Sequence, residues 1–513
     1  MATFANLGED NLGEDNLGED NLGEDNLGED NLGEDNLGEE RKPYPEATVV
    51  RVKQKIVCLS LGMAMAASSA IARDSDRARQ DDLELTINDG FQSKDALRFE
   101  WPAISIGTGQ YEAGPTGATV IRFNRRARVA VDARGGGPGT INSDYIAIGY
   151  PTAELDAIVL SGGTFYGLET ATAVDTALLD DRARSGHWDD IGVVLGSIVY
   201  DMGGRRLNEI YPDKRLAQAA LRAAVPGVFP RGAYGGGRSA ISGGLWGCNA
   251  HSGQGAAYTE IEGIKVAVFT VVNALGVVTD RDGRVVACYK GENWPNDLFA
   301  NDLLQYAPDS LRPGWPSERR TEHEKRNTTI SVVATNHELT PVQLRRLAVQ
   351  VHTSMSRMIQ PFATEWDGDV LYAVSTGEVA SREDDPQLTV EIGTIASELM
   401  WDAVLSAIPD QAPNPPVDFV DRQVMSEAIA IAGNYKFSEY ARLHVREEGG
   451  RFFASATGER DVMSIARASE TELVPVGKDE FAVPGRYPMV LKFVDRSIVI
   501  NPGRWQQVGT KQD

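Results

Sequence analysis

At 513 residues the chain exceeds one ordinary hydrophobic core, and about two to four units are expected. The formal net charge of -24 is concentrated at one end: residues 1–40 hold fourteen acidic residues and no Lys or Arg, so the remainder carries -10, with no basic stripe to attract nucleic acid. The three cysteines (Cys58, Cys248, Cys288) make no disulfide framework, and none of the six histidines forms an HExxH pair or a zinc-finger spacing, so neither a metal nor another cofactor is expected.

Residues 1–50 are dominated by repeats of Asn-Leu-Gly-Glu-Asp, with a period of five that fits no solenoid repeat and buries almost nothing apolar; one-signed charge and low hydropathy predict disorder. Residues 52–72 run from Lys53-Gln54-Lys55 through an apolar stretch, Ile56 to Ala67, into Ala70-Ile71-Ala72. Basic, apolar and small residues in that order predict a secretory signal cut after Ala72, too short for a confident membrane span. Its place some fifty residues in suggests a translation start near Val52. A buried or interfacial helix is the alternative. A secreted or periplasmic protein follows from the first reading, a cytoplasmic one if the segment goes unrecognised.

From residue 73 to 408 strand-like and helical runs alternate. Strands are predicted at Ala118 to Phe123, Arg128 to Val131, Ala157 to Leu160, Ile191 to Val199, Lys265 to Val272, Thr328 to Thr335 and Val370 to Ser375, and helices at Gly167 to Leu179, Leu216 to Ala224, Pro341 to Ile359 and Ile392 to Ile408. The best-marked helix opens on Thr340-Pro341-Val342-Gln343, a capping box with proline at the first helical position. Apolar residues at i, i+3 and i+4 give it one buried face. Two layers of strands covered by two layers of helices suit this pattern. A proline-rich linker, 409–417, then leads to residues 418–508, where a helical run (Arg422 to Ala432) precedes short strands punctuated by turns that predict a small, lipocalin-like β-barrel.

Chemistry is poorly signposted outside one region. Gly235-Gly236-Gly237 and Gly135-Gly136-Gly137 lack the Gly-Lys-Ser/Thr ending of a phosphate loop, and no Gly-x-Ser-x-Gly elbow occurs. At Arg326-Asn327-Thr328-Thr329, however, a long polar stretch ends in a strand. Breaking the Asn327–Thr328 bond would leave Thr328 with a hydroxyl and a free α-amine, nucleophile and base in one residue, because an α-amine has a pKa of about 7.7 to 8.0. Asp367-Gly368-Asp369, at the entry of the next strand, could hold that ammonium group by charge-assisted hydrogen bonds.

These stretches, with Gly114 to Val120, Val131 to Gly136, Gly253 to Ala257, Val271 to Val277, Val333 to Asn336, Thr340 to Leu347 and Ile359-Gln360-Pro361-Phe362, resemble the self-processing aminopeptidase family: L-aminopeptidase/D-esterases, β-peptidyl aminopeptidases and nylon-oligomer hydrolases, the last most of all. The resemblance implies an α/β protein, an αββα sandwich of the N-terminal-nucleophile type, that cuts itself between Asn327 and Thr328. It implies Thr328 as nucleophile, Asn273 as a donor to the oxyanion, Tyr200 as its assistant or as the group that places the carbonyl, and Asp367 and Asp369 as the groups that orient the Thr328 hydroxyl and amine. The implied substrates are peptides with a free amino end or linear amino-acid oligomers, acted on by a homo-oligomer of processed units with no nucleic acid and no membrane span after signal removal. A β- or D-amino-acid aminopeptidase/esterase is the first alternative, a decayed, non-catalytic binding protein the second. One departure stands out: where the family carries a lysine in the turn before Gly253, this chain reads Ser242-Gly243-Gly244-Leu245-Trp246, which leaves Arg238 as a candidate replacement.

Overall fold

A computed structural model of the protein describes residues 82–150, 153–202, 205–289, 298–305, 327–380, 387–411, 431–485 and 487–512. The acidic repeat, the signal-like segment, the polar stretch before Asn327 and most of the linker and of the helical run from Arg422 lie outside them.

The hydrolase-like part is built from β1 (Ile104–Tyr111), β2 (Thr116–Ala133), β3 (Glu154–Ser161), α1 (Glu169–Asp180), β4 (Val194–Ile198), α2 (Lys214–Arg222), β5 (Gln254–Ile261), β6 (Ile264–Asn273), β7 (Thr328–His337), α3 (Pro341–Ser354), β8 (Val370–Val379) and α4 (Leu388–Ser406). The two short strands predicted at Ala118 and Arg128 are one strand of 18 residues, β2, whose pairing shifts register between Arg122 and Ala127. Its first half pairs with β1 and β3, and its second half pairs with β8. One strand thereby links two sheets, β5-β6-β7-β8 on one side and β1-β2-β3-β4 on the other.

Alternation along each strand separates two faces. Val129, Val131, Phe269, Val271, Ile330, Val332, Val370 and Tyr372 point inward and meet Ile106, Ile121, Ile158 and Leu195 in a core between the sheets. On the outer faces, Val268, Val333 and Ala373 pack under α3 and α4, while Val120, Val159 and Val194 pack under α1 and α2. Each Val, Leu, Ile or Phe side chain so buried contributes on the order of 1.5–3 kcal/mol. Helix, sheet, sheet, helix is the αββα order expected.

The C-terminal part is a closed barrel of eight antiparallel strands in sequence order, from Gly433–Lys436 to Gln507–Lys511. Seven of these strands are legible in the sequence. The eighth closes the barrel on the first through Tyr435 opposite Lys511, beyond residue 508. Eight strands leave an interior that side chains fill, and here Tyr435, Leu443, Phe452, Phe481, Leu491, Phe493 and Ile498 fill it. Leu207, from the hydrolase-like part, joins them at 1 % exposure. Further contacts seat the barrel: His251 stacks on Trp505 with ring centroids 4.0 Å apart, and the Tyr487 hydroxyl donates to the Gly247 carbonyl at 2.9 Å.

Candidate active site

The candidate residues meet where three strands of one sheet begin or end. β6 finishes at Asn273, which lies in register opposite Thr328, the first residue of β7. On the other flank Asn327 pairs with Asp367 in a parallel bridge just before β8. Two β-branched threonines suit a strand start packed on both sides, and Asn327, Thr328 and Thr329 are each 1 % exposed. Tyr200 follows the end of β4 and reaches the same point from the opposite sheet.

In the continuous chain the Thr328 hydroxyl donates to the carbonyl oxygen of Asn327 at 2.6 Å, and the Gly368 N–H donates to the same oxygen at 2.9 Å. The bond expected to break thus has its carbonyl polarised by a fixed backbone donor, with the candidate nucleophile in contact. Gly368 has a steric reason to be glycine: a Cβ there would lie 2.7 Å from Thr328 Oγ1. Asp367 and Asp369 are buried and accept hydrogen bonds from several strands and turns around the site. Asp369 accepts from Thr329 N (2.6 Å) and Ala363 N (3.0 Å), and Asp367 from Leu275 N (3.4 Å), Thr364 N (3.1 Å) and Thr364 Oγ1 (2.7 Å). Neither carboxylate bonds to Thr328 itself in the continuous chain. Burial pushes the Asp369 carboxyl well above the usual carboxylate range, with the neighbouring Asp367 adding to the rise; burial raises Asp367 as well.

Asn273 donates from Nδ2 to the Tyr200 carbonyl (3.0 Å), while its Oδ1 accepts from Ile241 N (3.2 Å). Tyr200 therefore enters the hydrogen-bond set through its backbone, and its ring packs edge-on against Phe165. One participant was missed from sequence. Arg205 donates to the Asn273 Oδ1 (2.5 Å), to the Tyr200 carbonyl (2.7 Å) and to the Asn327 Oδ1 (2.8 Å). Its only signal is a pair of arginines closing Gly203-Gly204-Arg205-Arg206 directly after Tyr200-Asp201. Arg238, the expected replacement for the family lysine, is instead buried against Glu112. The lysine-less turn does face the site, since a Cβ on Gly244 would sit 3.7 Å from Asn327 Oδ1.

The cysteine reading needs correction too. Cys248 and Cys288 form a disulfide, which ties the Gly243–Cys248 turn to the segment after β6 within a small apolar cluster that includes Trp246 and Val277. Two cysteines forty residues apart give no spacing signal, and only the fold brings them together. Among the described residues no group of three His, Cys, Asp or Glu side chains is arranged to hold a metal ion, and no helix is long and apolar enough to cross a membrane.

Relatives bear on the same region. A 6-aminohexanoate-oligomer endohydrolase of Paenarthrobacter ureafaciens is 40% identical over 323 residues, 61% of this chain and 86% of its own length. An uncharacterized aminopeptidase of Mycobacterium bovis is 30% identical over 329 residues, 61% of this chain and 90% of its own. Among solved structures, a Burkholderia sp. beta-aminopeptidase superposes with a TM-score of 0.45 at 18% identity, covering 60% of this chain and 84% of that one. Residues 3–39 match a model of pentapeptide repeats in eight copies. The model of peptidase family S58 matches residues 102–430, well over half of the chain, and the chain belongs to that family.

Proposed function

We propose that this amide-bond hydrolase activates itself by cutting between Asn327 and Thr328, then hydrolyses peptides with a free amino end or linear amino-acid oligomers through an ester on Thr328. The observation that carries the reading is the Thr328 hydroxyl at 2.6 Å from a carbonyl oxygen that also accepts the Gly368 N–H. In the first step Oγ attacks the Asn327 carbonyl carbon and gives up its proton to the Asp367–Asp369 pair, and the oxygen that takes up the negative charge already has a fixed donor. The C–N bond then breaks as the Thr328 nitrogen takes a proton, and the acyl group passes to Oγ. The Asp367–Asp369 pair, held above the usual carboxylate range, is suited to keep a proton and hand it to that nitrogen. Water cleaves the ester, leaving a carboxylate on Asn327 and a free α-amine on Thr328. In turnover that amine takes the Oγ proton, Thr328 attacks the substrate amide, the substrate amine leaves, and water again resolves the ester. Asn273 Nδ2, released from the Tyr200 carbonyl, is the side-chain donor for the second oxyanion.

The names of the relatives support an oligomer of amino acids or a peptide as the amide. The Cys248–Cys288 disulfide supports export to an oxidising compartment, as the signal-like segment does. A denaturing gel of the purified protein, with N-terminal sequencing of the smaller band, tests the cut. Two fragments with Thr328 first are expected; a folded chain that stays whole overturns it. Thr328→Ala is expected to remain whole and inactive on aminohexanoate oligomers and amino-acid p-nitroanilides, and hydrolysis by that variant would exclude the mechanism.

A further inference from the structure

We infer that Arg205 is a specificity residue on the acyl side of the site: it selects acyl groups carrying an oxygen acceptor on the third carbon beyond the reacting carbonyl, and the C-terminal barrel holds it there. The inference deepens the proposed function and rests on it, because Asn327 is then the first acyl group that Thr328 takes, and its surroundings are the acyl subsite. Within that subsite the Asn327 side chain has its Oδ1 against the Arg205 guanidinium at 2.8 Å, while its Nδ2 has no hydrogen-bond partner among the described residues. The site thus answers the oxygen of the head group and ignores the nitrogen. Gly244 presents no side chain here, so the donor comes from Arg205 rather than from that turn. The acids nearby, Asp367 and Asp369, are engaged with the N–H groups of Leu275, Thr364, Ala363 and Thr329 and with the Thr364 hydroxyl, and neither pairs with the Asn327 side chain. A carboxamide or carboxylate head group therefore meets a fixed donor, whereas an ammonium head group meets a like charge.

Arg205 is held by a different part of the chain. Gln507, on the last barrel strand and 3 % exposed, donates from Nε2 to the Arg205 carbonyl (3.3 Å) and accepts at Oε1 from Leu207 N (3.0 Å). Leu207 is sunk in the barrel core, and between the two lies Arg206, fully buried and bonded to the carbonyls of Asp201, Gly114 and Ile210. Side-chain amide and apolar plug together fix the backbone from which the guanidinium fork extends. Gln507 is accordingly a positioning residue.

Four p-nitroanilides that share a backbone and differ in head group test this on the processed protein: asparaginyl (carboxamide), aspartyl (carboxylate), 2,4-diaminobutyryl (ammonium) and 2-aminobutyryl (methyl). The wild type is expected to favour the first two over the ammonium compound by at least about tenfold in kcat/KM. Arg205→Met should collapse that ratio to within about threefold, mainly through KM, and Arg205→Lys should retain part of it. Gln507→Leu should lower the ratio less than Arg205→Met. A wild type without the preference, or an Arg205→Met protein that keeps it, overturns the inference. If Arg205→Met stays whole, the same question is put to self-cleavage: Asn327→Asp should still be cut, Asn327→Lys should not, and Arg205→Glu should restore cutting of Asn327→Lys; failure of that restoration also overturns it. A wild type that never exposes Thr328 defeats the proposed function instead, whereas a chain that cuts and turns over with a ratio indifferent to Arg205 defeats this inference alone.

Discussion

The sandwich and the barrel are both closed-packed, but they treat polar groups in opposite ways. In the barrel the interior is apolar and the charges stay outside, where Arg446 pairs with Glu470 and Arg451 with Glu472 across exposed strands. In the sandwich the strand ends near Thr328 bury two carboxyl groups and two asparagines, with the half-buried guanidinium of Arg205 beside them. Burying such groups costs stability unless each finds partners, and here the carboxylates accept from backbone N–H groups and the Thr364 hydroxyl, while both asparagine side-chain oxygens accept from Arg205. A region that accepts that cost is where chemistry is to be sought, and a region that avoids it serves as support.

Four substitutions break or sharpen this contrast, in falling order of expected effect. Gly368→Ala places a Cβ against Thr328 Oγ1 and should slow self-cleavage by about 10²- to 10³-fold, read from the time course of fragment appearance, with an unchanged circular-dichroism spectrum. Leu207→Ala empties a buried position in the barrel core and should cost about 2–5 kcal/mol of barrel stability in denaturant unfolding. It should also loosen Arg205, whereas a stability loss with an untouched acyl preference would separate the barrel from the site.

The third concerns pH. A carboxyl whose folded pKa is raised contributes its stability below the unfolded value and loses it as pH rises through the folded value. In a Thr328→Ala background, Asp369→Asn should therefore gain in melting temperature relative to its parent as pH is taken from about 4 upward. A difference that stays flat across that window would show that Asp369 is not held above its ordinary range. The smallest effect is expected at the barrel surface: Arg451→Ala removes an exposed ion pair with Glu472 and should leave both melting temperature and cleavage unchanged within error.

Much of the sandwich was legible because its elements announce themselves locally. Thr340 and Gln343 form the reciprocal cap that their spacing predicts, and α3 buries Leu344, Leu347, Ala348 and Val351 on one face. β1 and β5 were not legible. Ile104–Tyr111 and Gln254–Ile261 are rich in glycine and polar residues, and they are strands because helices press on them: a Cβ on Gly107 would lie 1.9 Å from the Ala220 carbonyl oxygen, and one on Gly255 equally close to that of Ala403. Close approach of a helix backbone leaves no periodic mark in a sequence. The site divides in the same way. Thr328 and Asp367-Gly368-Asp369 stand next to strand starts, where local chemistry is readable, and the structure brings them together with Asn273 and the Tyr200 backbone. Arg205 acts from a loop whose position is set by Gln507, 302 residues away, and no local pattern encodes that.

The position of the scissile bond between β6 and β7 has a further consequence for how the molecule can be made. The two strands from after the cut, β7 and β8, lie side by side between strands from before it, with β7 zipped to β6 and β8 to β2. Both disulfide cysteines lie before it, so no covalent bond would join the two pieces. Assembly from one chain is an intramolecular search, whereas the cut protein, once denatured, would have to rebuild a shared sheet from two separate molecules. Refolding yield should therefore depend on protein concentration for the cut form and be independent of it for Thr328→Ala. Maturation would then act as a ratchet, with the fold reached once, as a precursor, and thereafter kept by slow unfolding rather than by ready return.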